Sequence, residues 1–251
     1  MGNSDWERFA RLQYIKTAFG SLRNSGMSGH EEWGEIQREI DACRCGKDWP
    51  ELLIPGEQIK HAPFRPDEPK NSSSGTLLFI SEAPPKTGGF WAPMELDDDL
   101  RNNIFSIVNR YFGECSANRV TDHNSFMANR LFLIQAIKWP LKKSAASLSA
   151  SEKLLIEHSV DEHLKTEIEM IKPNVIVPLG RAACYACSHL FNSSDFEFDR
   201  ATRLYDLKSP ITVKSSPCKL ELWPTFLPVK RNRSRMKKAS DEIVKAIKAF
   251  N

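Results

Sequence analysis

Four stretches of the chain are apolar without alternation, and between them apolar positions recur at helical spacing. Thr76-Leu77-Leu78-Phe79-Ile80-Ser81, bounded by Gly75 and Pro84, reads as a strand covered on both faces, because a strand with one wet face alternates. Leu131 to Ile137, broken only by Gln135 and stopped by Trp139-Pro140, reads as a second. Asn174-Val175-Ile176-Val177-Pro178-Leu179-Gly180 is a third, followed at once by a helix from Arg181 to Phe191. Leu220 to Phe226 is a shorter fourth, and a hairpin is expected around Thr202 to Val213. Helical periodicity runs from Met94 to Phe112, with Glu95, Asp97, Asp98 and Asp99 at the end where the helix dipole favours carboxylates. It runs again from Ser149 to Lys172, where Ser149 and Glu152 form a capping box and Pro173 ends the pattern. A last helix spans Lys237 to Phe250. Ahead of the first strand, helices are expected over Asp5 to Gly20 and Glu31 to Ala42, followed by a Pro-, Lys- and Ser-rich loop from Pro55 to Gly75.

Strands alternating with helices of this length imply an α/β fold. The expectation is a three-layer sandwich with a central, mostly parallel four-stranded sheet and helices on both faces. Residues 1–74 form a helical N-terminal extension packed on the core, and residues 75–251 form the α/β domain. In such sheets ligands bind at the carboxyl ends of the strands, so four strand exits hold the candidate chemistry.

Composition narrows the class. The 251 residues are 41% apolar and 27% charged, proportions of a folded globular chain rather than of a disordered or membrane-embedded one. No apolar stretch approaches the ~20 residues of a spanning helix, and the first residues carry neither signal-peptide nor transit-peptide features, so a cytoplasmic monomer is expected. The net charge of +3 hides an asymmetry, since residues 201–251 hold 12 Lys+Arg against 4 Asp+Glu. The six cysteines are too few for a disulfide scaffold and are expected as buried thiols or metal ligands.

The first exit is Ser81-Glu82-Ala83-Pro84-Pro85-Lys86-Thr87-Gly88-Gly89-Phe90-Trp91. A carboxylate directly after a buried strand, on a segment stiffened by two prolines, has a fixed direction and a partly desolvated setting. That suits activation of water or stabilisation of a nearby cation. The glycines permit close backbone approach to a ligand, and Phe90 and Trp91 offer a stacking face. The plainer alternative is a surface ion pair between Glu82 and a lysine, with both aromatics in the core. At the fourth exit, residues 230–238 place six cations in nine positions beside Leu227-Pro228-Val229. This suits phosphate contacts beside an apolar wedge, where the plainer alternative is a solvated charged face.

These segments resemble the uracil-DNA glycosylase superfamily, and most closely its thermophile-type iron-sulfur branch. Ser81-Glu82-Ala83-Pro84-Pro85 with Gly89-Phe90 is similar to the family's Gly-Glu-Ala-Pro-Gly motif and its downstream Gly-x-Pro-Phe. Lys172-Pro173-Asn174-Val175-Ile176-Val177-Pro178-Leu179-Gly180 resembles its Lys-Pro-x-Val-Ile-Val-x-Leu-Gly segment. Phe132 to Pro140 resembles the strand that carries a base-reading Asn and ends in Lys-Cys-Arg-Pro, and Pro224-Thr225-Phe226-Leu227-Pro228 resembles the Pro-Thr-Tyr-His-Pro segment that enters DNA. The resemblance covers roughly Gly75 to Phe250.

What it implies is hydrolysis of the N-glycosidic bond of a flipped-out base, leaving an abasic site. Glu82 is the implied catalytic residue, Ala83, Pro84, Phe90 and Gln135 the implied base contacts, and Leu227, Lys230, Arg231, Asn232, Arg233 and Arg235 the implied DNA contacts. Gln135 stands where the family has Asn, and Leu227 where it has His, so the expected substrate is DNA with a modified or damaged base other than plain uracil. Repair, or defence against phage with modified DNA, is the expected setting; a catalytically inactive DNA-binding member is the alternative. The branch's four cluster cysteines map to the neighbourhood of Cys43 and Cys45, to Trp139 and to the vicinity of Val160. No cofactor is therefore expected, the alternatives being an iron-sulfur cluster or a zinc ion, for which Cys184 and Cys187 with the pair Cys43 and Cys45 would make a four-cysteine site. His158 and His163 are five apart, too far round an α-helix to share a face, and read as helix surface together with Asp161 and Glu162.

Overall fold

The apolar runs fold as β1 (Thr76–Ser81), β2 (Leu131–Gln135) and β3 (Pro173–Pro178) of a computed structural model that describes residues 29–43, 45–54, 75–86, 89–113, 116–191, 198, 207, 209–213 and 220–251. The expected helix over Asp5 to Gly20, residues 55–74 and the loop from 199 to 206 lie outside the described residues. β1 sits between β2 and β3 and pairs with both in parallel. β5 (Leu220–Leu222) continues the sheet parallel to β3, and β4 (Ile211–Val213) closes it antiparallel to β5. The order is β2-β1-β3-β5-β4. Among the described residues the sheet thus has five strands, one more than expected, because 211–213 pairs back on the terminal strand.

Successive side chains of a strand point to opposite faces, and here both faces are covered. Leu78, Ile80, Phe132, Ile134 and Ile176 pack on one layer: α1 (Gly29–Ala42), α5 (Ala150–Ser159), α6 (Lys165–Ile171) and α7 (Arg181–Phe191). The short α2 (Cys45–Asp48) follows α1. Leu77, Phe79, Leu131, Leu133, Val175 and Val177 face the second layer of α3 (Asp99–Phe112), α4 (His123–Ala128) and α8 (Met236–Phe250). The four apolar side chains of β1 are fully buried, on the order of 6–12 kcal/mol of gross hydrophobic stabilisation before conformational entropy is counted. Trp33, Ile36 and Ile40 bring α1 into the first layer, the Trp33 ring lying 6.0 Å from that of Phe132.

Local chemistry sets the helix ends. The pattern beginning at Met94 becomes helical only at Asp99, where Asp98 caps the backbone N–H of Arg101. Before it, the loop 90–96 is clamped by the buried Arg101 guanidinium, which donates to the carbonyls of Ala92 (2.7 Å) and Leu96. The Ser149–Glu152 capping box forms as the sequence predicts. The pattern from Ser149 to Lys172 is not one uniform helix, however: residues Val160–Leu164 form a π-helical turn between α5 and α6. Among the described residues no helix is long and apolar enough to cross a membrane.

Candidate functional site

The exits of β1 and β2 are stitched together where the chain leaves the sheet. Ser81 and Gln135 are register partners, Ala136 N–H donates to the Ser81 carbonyl (2.8 Å), and Ile137 N–H donates to that of Glu82 (2.9 Å). The Glu82 backbone is therefore held before its side chain makes any contact. Its carboxylate accepts from Ser144 Oγ at 2.7 and 3.0 Å and from the backbone N–H of Ala145. The loop that supplies these donors is itself pinned, since Arg181 Nε at the start of α7 donates to the Ala146 carbonyl (2.9 Å). The plain reading of Glu82 as a lysine-paired surface carboxylate missed Ser144 and Ala145.

Glu82 stands on the wall between two cavities. The larger, about 520 Å³, is lined by Ser81 to Pro85, Phe90, Gln135, Leu227 and Val229, and by Leu141 to Ser144. That volume falls within the roughly 300–1,000 Å³ usual for small-molecule sites. The smaller, about 120 Å³, runs from Glu82 and Ser144 past Gly180 and Leu227 to Asn232 and Arg235. Glu82, Ser144 and Leu227 line both. Two glycines shape this region: Gly180 (φ 88°) leaves room for Leu227, and Gly89 (φ 120°) lies where a Cβ would sit 2.9 Å from the Pro85 ring. Both need the left-handed region that side chains disfavour.

The remaining candidates fall as follows. Phe90 is buried within a group of Trp91, Phe105, His123 and Phe126 rings and is among the residues lining the larger cavity, whereas Trp91 is not. Phe90 is thus a core aromatic that borders the cavity rather than half of an open stacking face. Gln135 is buried at the end of β2; its side chain lines the same cavity, and its carbonyl accepts from Lys138 Nζ (2.5 Å). Lys138 also pairs with the buried Glu167, and burial holds its ammonium below the usual lysine range against the pull of that carboxylate. Leu227 is half-buried in the cleft wall, its carbonyl capped by Asn232 Nδ2 (2.9 Å), while Pro228 is buried, so the apolar tip is Leu227 and Val229. The cationic arm is a 3₁₀ turn, Lys230–Arg235. Lys230 pairs with Asp99 (2.8 Å), which holds the ammonium above its ordinary range, Arg233 is exposed, and Arg235 lies over the Phe226 ring at 5.0 Å. The Arg231 side chain lies outside the described residues. Lys142, Lys143, Ser144, Asp98 and Asp99 also line the larger cavity and were absent from the sequence-level set. The signal for the first three was their position, directly after the second strand exit.

A family model, that of the uracil DNA glycosylase superfamily, matches residues 70–251. The chain belongs to that superfamily. None of the curated proteins compared with it matches. The matched span contains β1, every exit loop described above and the cationic arm, so this glycosylase-superfamily domain carries the whole of the cleft.

The cluster of the iron-sulfur branch needs four thiolates. At the third and fourth positions this chain has Trp139 and Val160, both buried among apolar side chains and neither able to ligate iron through sulfur. The described residues do not fit such a cluster. Cys184 and Cys187 are fully buried in α7, and burial pushes both thiols upward.

Proposed function

We propose that this superfamily member is a DNA glycosylase that hydrolyses the N-glycosidic bond of an everted base other than plain uracil, leaving an abasic site. The observation that carries the reading is the shared wall: Glu82 borders the larger cavity, which has room for a nucleobase, and the smaller one, which leads to Asn232 and Arg235 of the cationic arm. An everted nucleotide with its base in the first and its backbone along the second brings its sugar against Glu82. Cleavage breaks C1′–N, builds positive charge on the sugar and sends the bonding pair to the base. The Glu82 carboxylate faces the first charge and accepts the proton of the water whose oxygen bonds to C1′. Ser144 and Ala145 keep it aimed while it does so.

The departing base needs cationic or hydrogen-bonding support, worth ~2.7–4 kcal/mol for one well-placed donor. Leu227 supplies none, and Lys230 is engaged with Asp99. Of the two lysines on the cavity wall, Lys142 donates its ammonium to the Pro50 carbonyl (2.6 Å), which leaves Lys143 as the cation at hand. Gln135 at the inner end reads the base edge one methylene further out than an Asn, which favours an enlarged or displaced edge. The resemblance to the thermophile-type branch and a role in repair or in defence against modified phage DNA belong to this same proposal.

The test is to incubate the pure protein with duplex and single-stranded DNA containing uracil and a panel of modified bases, score abasic sites, and identify the released base by mass spectrometry. Release of a modified base, lowered ~10²–10⁴-fold in Glu82→Gln with DNA affinity unchanged, is the expected result. Absence of abasic product on every substrate, with DNA binding intact, would leave the alternative of an inactive DNA-binding member.

A further inference from the structure

Outside the cleft, on the other helical layer, Cys43, His158 and His163 converge. Their ligand atoms lie within 4.8 Å of one another, and Cys43 Sγ is 3.6 Å from His158 Nε2. Two ligands of a tetrahedral zinc ion, a thiolate at about 2.3 Å and an imidazole nitrogen at about 2.05 Å, are about 3.6 Å apart, so the Cys43–His158 contact, which also has the length of a hydrogen bond to sulfur, matches two ligands of one ion.

The π turn explains why the histidines meet. Residues five apart in an α-helix are about 140° apart around the axis, and on that basis the sequence alone assigns them to different faces. The backbone N–H of Lys165 instead bonds to the carbonyl of Val160, five residues back. A π turn stacks residues five apart, and such turns recur at functional sites. The two imidazole centroids end 6.4 Å apart. His163 is 5% exposed, and neither of its ring nitrogens has a hydrogen-bond partner. A buried imidazole without a partner is costly, and coordination satisfies it. Trp49 and Trp139 wall the group, their rings 5.0 Å from that of His158 and 5.5 Å from that of His163.

We propose that Cys43, His158 and His163 bind one zinc ion, with an external ligand such as water completing the tetrahedron. One thiolate and two imidazoles suit zinc and are too few in sulfur for an iron-sulfur cluster. None of the three lines a cavity at Glu82, so the ion is structural: it ties the residue after α1 to α5 and the π turn.

The experiment uses the full chain without an affinity tag. Elemental analysis of the purified protein is expected to give one equivalent of zinc. Cobalt(II) added to the metal-stripped chain is expected to produce tetrahedral visible bands and a near-ultraviolet thiolate charge-transfer band, and added zinc to raise the thermal midpoint. Cys43→Ser and His163→Gln are each expected to lose at least about tenfold in zinc affinity, and Cys184→Ser to leave it unchanged. The wild-type cobalt titration stands by itself if either variant fails to fold. No zinc or cobalt bound by the wild-type chain, iron with sulfide in its place, or a charge-transfer band that survives Cys43→Ser would overturn the assignment.

Discussion

Ser144 reaches both oxygens of Glu82 from a loop more than 60 residues further along the chain, and with the Ala145 N–H it helps to orient the carboxylate. A hydrogen bond to a charged group is worth about 1.5–3 kcal/mol. Ser144→Ala is accordingly expected to lower single-turnover base release roughly 10–100-fold while DNA affinity measured by anisotropy stays at the wild-type value. His123 offers a second test at this scale. Its Nε2 lies 2.7 Å from the Phe90 carbonyl, and burial, with the Arg101 charge nearby, depresses its pKa against the opposing pull of that carbonyl and Asp122. The folded chain then binds fewer protons than the unfolded one between the lowered value and the ordinary ~6.5. This contribution is fully present above the ordinary value and is lost as the pH falls through the lowered one. The thermal midpoint should drop as the pH falls below the ordinary imidazole value of about 6.5, and His123→Phe should flatten that slope. Glu82 could be nominated from the sequence because it directly follows a doubly buried strand, at the edge of the sheet where ligands of such folds bind. Ser144 could not, because a serine in a polar loop carries no periodic signal.

The elements follow their patterns where one face or two must be buried, and depart from them where a neighbour intrudes. β1, β2 and β3 stand on the apolar runs, whereas the helix expected from Met94 starts at Asp99 because Arg101 draws the preceding carbonyls into a clamp. The π turn was invisible for a related reason: it is a local change in hydrogen-bond register, and its residues, Val160 to Leu164, carry no glycine or proline to mark it. The cationic arm was legible as charge but not as shape. As a 3₁₀ turn it sends Lys230 to Asp99, lays Arg235 over Phe226 and exposes Arg233. Replacing Arg233 and Arg235 with glutamine is expected to weaken binding of duplexes of any sequence and to reduce the slope of log K against log salt by about 2, if each cation neutralises one phosphate. An unchanged slope in a salt titration would remove the arm from the interface.

At the scale of the molecule, α1 belongs to the same packing unit as the sheet, since Trp33, Ile36 and Ile40 share a core with Phe132 and Ile134. Ile40 is fully buried, and Ile40→Ala is expected to cost about 2–5 kcal/mol, read as a single shifted transition in urea rather than as the appearance of a second one. The charge asymmetry also takes its meaning here, because only through the fold does the basic C-terminal stretch meet Asp99 of α3 and share a cavity with Glu82. From the sequence alone came the α/β class, four of the strands and most helix boundaries, and the nomination of Glu82, Gln135 and the cationic arm. Those depend on periodicity, caps and residue type, which act over a few neighbouring positions. Only the tertiary structure decided that Glu82 is aimed by Ser144, that Lys142 and Lys143 face the same cavity, that 211–213 adds a strand and that Cys43 meets two histidines. Each of these joins residues far apart in the chain, through side-chain directions that local hydrophobic patterning leaves open.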